Sequence, residues 1–358
     1  MARITVLGGR NTAFSIAADL SLAGHEVLMW EHPDFAHTLD PIRENLTIYL
    51  HGVARTGPAG LAGVTTDAEA ALAWSDLLIC SVPSYAHEPF AEQLMPRLRS
   101  GHVLALLPGN LGALYFAGQI RQAGIMGVVV AESDTAPYVC RKTGLAGATI
   151  WGTVSAPGIG VFPASQTDEV LPELAGLFPG ATAHAHVLAA GLSAMNPIVH
   201  PPGVLLNAGR IERSNGEFWF YEEGVTPAVA RVIEALDGER LAIGRAFGLE
   251  LRSVADGFHA AGFGPKGDIW SVINGSRILT ALRAPGSLET RWLSEDVPFG
   301  LATWVGLAAS VGLETPLMES LISLSSALMG VDFRQGSRTL SALGIDNLTA
   351  AGVLEYLQ

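Results

Sequence analysis

Apolar residues in the first 130 positions fall in short unbroken runs separated by stretches with helical spacing. Ile4-Thr5-Val6-Leu7 is the first run, and Gly8-Gly9 follows it. Ala13 to Ala23 then repeats apolar residues at intervals of three and four, with Gly24 placed as a helix-ending glycine. Four more runs follow: Glu26 to Trp30, Leu77 to Val82 stopped by Pro83, Val103 to Leu107 stopped by Pro108-Gly109, and Gly127 to Ala131. Strands covered on both faces read as such continuous apolar runs, and the helical stretches between them are the crossovers that parallel pairing requires. The pattern predicts an α/β fold with an N-terminal Rossmann-type, doubly wound sheet. Ala148 to Val161 predicts further strand and Gln166 to Leu177 a helix.

After about Ala185 the strand signal fades. Pro227 to Phe247, Leu249 to Ala261, Phe299 to Val311 and Thr315 to Gly330 all carry helical periodicity. The expected organisation is a dinucleotide-binding domain over residues 1–185 and a mostly helical substrate-binding and catalytic domain over 186–358.

Composition narrows the function classes. Hydrophobic residues make up 49% of the 358 and charged residues 15%, enough apolar material for two cores. A formal net charge of −13 offers no basic stripe to a nucleic acid. Leu174 to Gly209 lacks Asp, Glu, Lys and Arg, but its four prolines and three histidines suit a buried core better than a membrane span. Cys80 and Cys140 form no disulfide framework and no metal-ligand spacing, so no metal is expected. The N-terminal residues read directly as a strand, and the expected location is the cytoplasm.

The turn after the first run is where a dinucleotide pyrophosphate is expected, because a helix N-terminus offers unpaired N–H groups and a positive dipole end. It reads Gly8-Gly9-Arg10-Asn11-Thr12-Ala13. Against G-x-G-x-x-G/A, Gly8 and Ala13 match, and Arg10 stands where the second glycine belongs. Glu31, about 20 residues on, ends the second run where a carboxylate binds adenosine ribose hydroxyls and repels a 2′-phosphate. No arginine follows it until Arg43. The expected cofactor is therefore NAD rather than NADP. Val82-Pro83 and Pro108-Gly109-Asn110 end two further strands and are expected to line the same carboxyl edge.

In the second half, His200 stands in the apolar segment Asn196-Pro197-Ile198-Val199-His200-Pro201-Pro202, with Asn207 beyond it. It lies just past the predicted boundary, where it can face a cleft, and Asn196 and Asn207 add polar groups that packing alone does not need. Arg291-Trp292-Leu293-Ser294-Glu295-Asp296 precedes an apolar helix. Hydride transfer to a carbonyl or imine needs a proton donor, a group to orient it and a cation for an acidic substrate. His200 can be the first, Asp296 or Glu295 the second and Arg291 the third.

These segments resemble the opine dehydrogenase family over nearly the whole length, within it the branch similar to N-(1-D-carboxyethyl)-L-norvaline dehydrogenase. The likeness rests on Asn196 to Pro201, Leu205-Leu206-Asn207-Ala208, Tyr221 to Pro227, Arg291 with Glu295-Asp296-Val297, Asp332-Phe333-Arg334 and Leu348 to Gly352. It implies a catalytic dyad of His200 and Asp296, with Arg291 holding a substrate carboxylate. It also implies NAD(P)H-dependent condensation of an amino acid with a 2-oxo acid, and its reverse. Substrates are then small molecules, and the protein is expected to be a homodimer.

Other dehydrogenase classes share the two-domain plan. Ketopantoate reductases and β-hydroxyacid dehydrogenases use a lysine in the helical part, yet no lysine lies between residues 143 and 265. A 2-hydroxyacid or hydroxyacyl-type enzyme pairing His200 with Glu295, and a non-catalytic dinucleotide sensor with a degenerate glycine turn, are the alternatives.

Overall fold

The computed structural model describes residues 1–358. The chain divides into two compact units, Met1–Val187 and Leu188–Gln358, two residues beyond the expected boundary.

The first unit holds twelve strands. They are β1 (Arg3–Leu7), β2 (Glu26–Trp30), β3 (Thr47–Gly52), β4 (Gly57–Gly60), β5 (Gly63–Thr65), β6 (Leu77–Cys80), β7 (Val103–Leu106), β8 (Val129–Ser133), β9 (Tyr138–Thr143), β10 (Gly147–Thr153), β11 (Gly158–Phe162) and β12 (Thr182–Ala183). The main sheet runs β12-β11-β8-β7-β6-β1-β2-β5. Its β5-β2-β1-β6-β7-β8 portion is parallel throughout, in the doubly wound order whose direction reverses between β1 and β6. β11 adds antiparallel to β8 and β12 parallel to β11. Ile4, Val6, Leu78, Ile79, Leu104, Ala105 and Ala131 are wholly buried, which is why these segments read as continuous apolar runs.

A second sheet, β4-β3-β10-β9, was not visible in the hydrophobic pattern. The helix Asn11–Leu22 packs against strands of both sheets, and every residue from Ala13 to Leu20 is buried. A helix covered all round must be apolar all round, and its alanines let two sheets approach it closely. The exceptions are Ser15, whose hydroxyl donates to the Asn11 carbonyl at 2.9 Å, and Asp19, whose carboxylate is held by the Tyr138 hydroxyl at 2.8 Å and the Arg55 guanidinium at 2.9 Å. The run Ala148 to Val161, expected as one strand region, is divided between sheets: β10 belongs to the second and β11 to the first.

The second unit is helical. Its long helix Pro227–Ala246 begins with a Thr226 cap and packs against the helices Asn196–Leu205 and Pro316–Met329. The buried Arg240 donates to Asp237 at 2.7 Å and to the carbonyls of Leu192 and Arg252, so its charge is paired and hydrogen-bonded. Glu239 accepts the N–H groups of Leu317 and Met318, capping the helix Pro316–Met329. Two spans expected as helix are shorter: Leu249 to Ala261 is helical only over Val254–Ala260, and the segment before Thr303 is a π-helical turn, Asp296–Ala302. No helix is long and apolar enough to cross a membrane.

Candidate active site

His200 stands on the helix Asn196–Leu205, which enters at Pro197 and continues through Pro201 and Pro202. Those two prolines cannot donate to the carbonyls one turn back, so the helix depends on its packing. That packing is close. A Cβ at Gly300 would come within 2.5 Å of Pro197, and one at Gly203 within 2.5 Å of the Phe220 ring. Gly300 thereby lets the turn Asp296–Ala302 approach the helix. The His200 Nδ1 lies 2.7 Å from Asp296 Oδ2, and both side chains are buried. Ninety-six positions separate the two in the chain.

A carboxylate accepts, so Nδ1 carries the hydrogen and Nε2 of the neutral ring is the lone-pair nitrogen. Tyr221 OH stands 3.1 Å from Nε2. It comes from a second π-helical turn, Phe220–Gly224. Burial, and secondarily the charge of Asp296, push the Tyr221 hydroxyl well above its ordinary range, so it stays protonated. The Trp292 indole lies flat on the imidazole, with ring centroids 4.4 Å apart and planes 12° apart. Phe220 packs on Trp292 and edge-on to Tyr221. Neither aromatic was distinguished from ordinary core by spacing.

Of the two acids considered for His200, the structure pairs Asp296 with it. Glu295 accepts from Arg291 at 3.4 Å instead. Arg291 opens the short helix Arg291–Ser294 and is 60% exposed, so its guanidinium is open to a second anion. Asn196 sits one turn before His200 and therefore on the same helix face. Asn207 is occupied by the fold: its amide donates to the carbonyls of Gly203 and Gly224, joining the His200 helix to the Tyr221 turn. Phe218 and Phe220, nearby in the chain, are 2% and 0% exposed and belong to the core.

The glycine turn lies in the first unit, at the carboxyl end of β1. Gly8 has φ +114°, and a Cβ there would press on Val82 Cγ1 at 2.8 Å, so the turn packs on the loop after β6. Arg10 occupies the N-cap position without a side-chain bond to the first-turn N–H groups, and Ala13 is buried below it. An uncapped helix N-terminus at the reversal of the strand order fits a pyrophosphate. Asn110, in the loop after β7, donates to Ser84 Oγ at 3.2 Å, tying the two loops that follow Val82-Pro83 and Pro108. Glu132, wholly buried, accepts from the N–H groups of Leu111 and Ala113 and so braces the loop after β7.

Glu31 is 3% exposed. Its carboxylate accepts from His32 N at 2.9 Å, from Thr38 Oγ1 at 3.1 Å and from the Gly9 N–H. Burial pushes the carboxyl above its ordinary range, against those three bonds. A Cβ at Gly9 would lie 2.3 Å from Thr38 Oγ1 and 2.9 Å from Glu31 Oε2. The glycine at position 9 is therefore required by the chain's own Thr38 hydroxyl and, next to it, the Glu31 carboxylate. Lys142 on β9 closes the other side of the turn, donating to the carbonyls of Gly9 and Thr38, with its ammonium over the Phe14 ring. Burial lowers its affinity for the proton, and Glu31 opposes that. Asn11 is pinned through its Oδ1, which accepts the Lys142 N–H at 3.0 Å. Lys142 has no signature in the sequence, since it arrives from the second sheet.

Known proteins resemble this chain along its whole length. Residues 183–329 match the family model of the NAD/NADP octopine/nopaline dehydrogenase alpha-helical domain. Residues 3–108 match that of the NAD-dependent glycerol-3-phosphate dehydrogenase N-terminus. An opine dehydrogenase from Arthrobacter sp. (strain 1C) is 32% identical over 97% of this chain and 96% of its own. An octopine dehydrogenase solved with NADH and agmatine superposes with a TM-score of 0.80 at 20% identity, over 99% of this chain and 98% of that one. A yersinopine dehydrogenase with NADP+ bound does so with a TM-score of 0.74 at 16% identity, over 100% and 98%.

Proposed function

The chain belongs to the opine dehydrogenase family and is an NAD(P)-dependent oxidoreductase, and from this premise we propose that it condenses an amino acid with a 2-oxo acid reductively, and runs the reverse reaction, through His200, Asp296 and Arg291. The observation that carries the reading is the buried His200–Asp296 pair with Arg291 five positions before the aspartate. The amine and the keto group form an imine with loss of water. A bound nicotinamide dinucleotide supplies the hydride that reduces the imine carbon. His200 Nε2 moves the proton at the substrate nitrogen or at the hydrolytic water, while Asp296 keeps the hydrogen on Nδ1 and stabilises the imidazolium. Arg291 holds a substrate carboxylate, and Asn196 faces the substrate from the same helix side as His200.

NADH consumption measured with pyruvate, with and without a set of amino acids, tests the reading. It requires consumption only when both substrates are present. Consumption with the keto acid alone would make the protein a hydroxyacid enzyme. Arg291→Lys keeps the charge but loses the planar fork, so the KM for the 2-oxo acid rises roughly tenfold while that for NADH stays put. A rise in the NADH value alone would move Arg291 to the cofactor.

The dinucleotide is held by the turn from Gly8 to Ala13, and NAD is the preferred form. The support is a carboxylate at Glu31, with no arginine following it in the chain until Arg43. Because Glu31 also holds Gly9 and Thr38, Glu31→Ser weakens both cofactors and narrows a preference for NADH by roughly tenfold. A parental preference for NADPH that collapses in Arg10→Ala would assign ribose recognition to the arginine. The reading includes a cytoplasmic homodimer, its assembly measurable by light scattering.

A further inference from the structure

We propose that Tyr221 is a positioning residue of the dyad, its hydroxyl donating to the working nitrogen of His200 so that Asp296, His200 and Tyr221 form one hydrogen-bonded chain. The proposal rests on the reading of His200 as the acid/base. Its basis is geometric. Nδ1 is held at 2.7 Å by Asp296 and Nε2 stands 3.1 Å from Tyr221 OH, while Trp292 covers one face of the ring. Both edges of the imidazole are thus fixed, and only one ring orientation and one tautomer satisfy both contacts: Nδ1–H toward the acceptor, the Nε2 lone pair toward the donor.

The hydroxyl has a chemical effect beyond orientation. A hydrogen bond donated to the lone pair stabilises the neutral ring, and proton uptake at Nε2 has to displace it. Asp296 acts in the opposite sense, favouring the imidazolium. The balance between the two sets the pH range in which His200 exchanges its proton. The other charges nearby, Glu295 and Arg291, are paired with each other. The Tyr221 backbone is fixed independently of His200, since Asn207 ties the Gly224 carbonyl to the His200 helix and Phe220 packs under Trp292.

Tyr221→Phe removes one oxygen and keeps the ring that packs edge-on to Phe220. The expected result is a roughly three- to tenfold loss of kcat with the KM values little changed. The acid limb of the oxidative kcat profile moves about half a unit to one unit toward higher pH, because the neutral ring has lost a stabilising bond. A second measurement does not depend on turnover. In protein labelled with 15N-histidine, the ring signals absent from His200→Asn identify His200, and their titration midpoint moves upward in Tyr221→Phe. A pH profile and ring signals that superimpose on those of the parent would overturn the proposal, whatever the loss of rate. Failure of the underlying reading is distinguishable: His200→Asn would then turn over normally, while the labelled spectra still report on the Tyr221–His200 bond.

Discussion

His200→Asn binds the dinucleotide as the parent does and turns over roughly 10²–10⁴-fold more slowly, the usual cost of losing one positioned proton-transfer group. The substitution keeps a polar side chain at the position but is smaller and loses the ring on which Trp292 lies. What disappears is a group that can both take and give a proton near neutral pH. Asp296→Asn is the companion variant. An amide facing Nδ1 can donate where the carboxylate could only accept, which allows the opposite tautomer and turns an N–H toward the Tyr221 oxygen. Cofactor binding is again unchanged, and kcat falls. Stopped-flow measurement of the reductive step with saturating substrates checks both. Near-normal turnover in His200→Asn would remove the histidine from the mechanism.

Gly9→Val weakens dinucleotide binding roughly 10- to 100-fold and leaves the helical unit's fold intact. A side chain at position 9 is driven into Thr38 Oγ1 and the Glu31 carboxylate, both within 3 Å of the new Cβ. Neither can withdraw easily, because Glu31 is buried and Lys142 holds the carbonyls of Gly9 and Thr38 from the far side. Overpacking of this kind costs about 1–3 kcal/mol, and at about 1.4 kcal/mol per decade that gives the range stated. Titration of intrinsic fluorescence with NADH measures it. Unaltered affinity would show that the turn is not part of the cofactor site. The Arg10 substitution offers the contrast, since Arg10 is exposed and unbonded at the N-cap and can be replaced without disturbing the turn.

Much of this architecture was legible in the sequence because the parallel strands are covered on both faces and leave unbroken apolar runs. The glycine turn, Glu31, His200, Arg291 and Asp296 were legible for a different reason: each is a chemically distinct residue at the end of an element or inside an apolar stretch. What escaped detection depends on contacts between distant segments. β3, β4, β9 and β10 carry glycines and polar residues and gain their burial from a helix elsewhere in the chain, so no unbroken apolar run marks them. The partition of Ala148 to Val161 between two sheets was hidden for the same reason. Whether Glu295 or Asp296 faced His200 could not be read from adjacent positions, because the π-helical turn beginning at Asp296 departs from the helical spacing on which such a reading relies. Tyr221 is buried and Trp292 half-buried, as ordinary packing aromatics are, and only the position of the imidazole gives them a second role. The two polar residues read alike, Asn196 and Asn207, turned out to differ, since one lies on the His200 face and the other braces two backbone carbonyls.

The helix Asn11–Leu22 is enclosed between two sheets, and this limits how nucleotide preference can change in this protein. On a surface helix, the residues behind a phosphate-binding turn can drift, and the turn can be re-aimed by tilting the helix beneath it. Here any larger side chain between Ala13 and Leu20 meets a strand on one side or the other, and a tilt would have to separate two sheets. The freedom to accept a different dinucleotide is therefore confined to the rim of the turn, at exposed positions such as Arg10 and Asn11 and at Asp34 just past β2. A library randomised at those three positions should recover altered cofactor preference with folded protein throughout, whereas one randomised over the buried stretch from Ala13 to Leu20 should return almost only the parental residues.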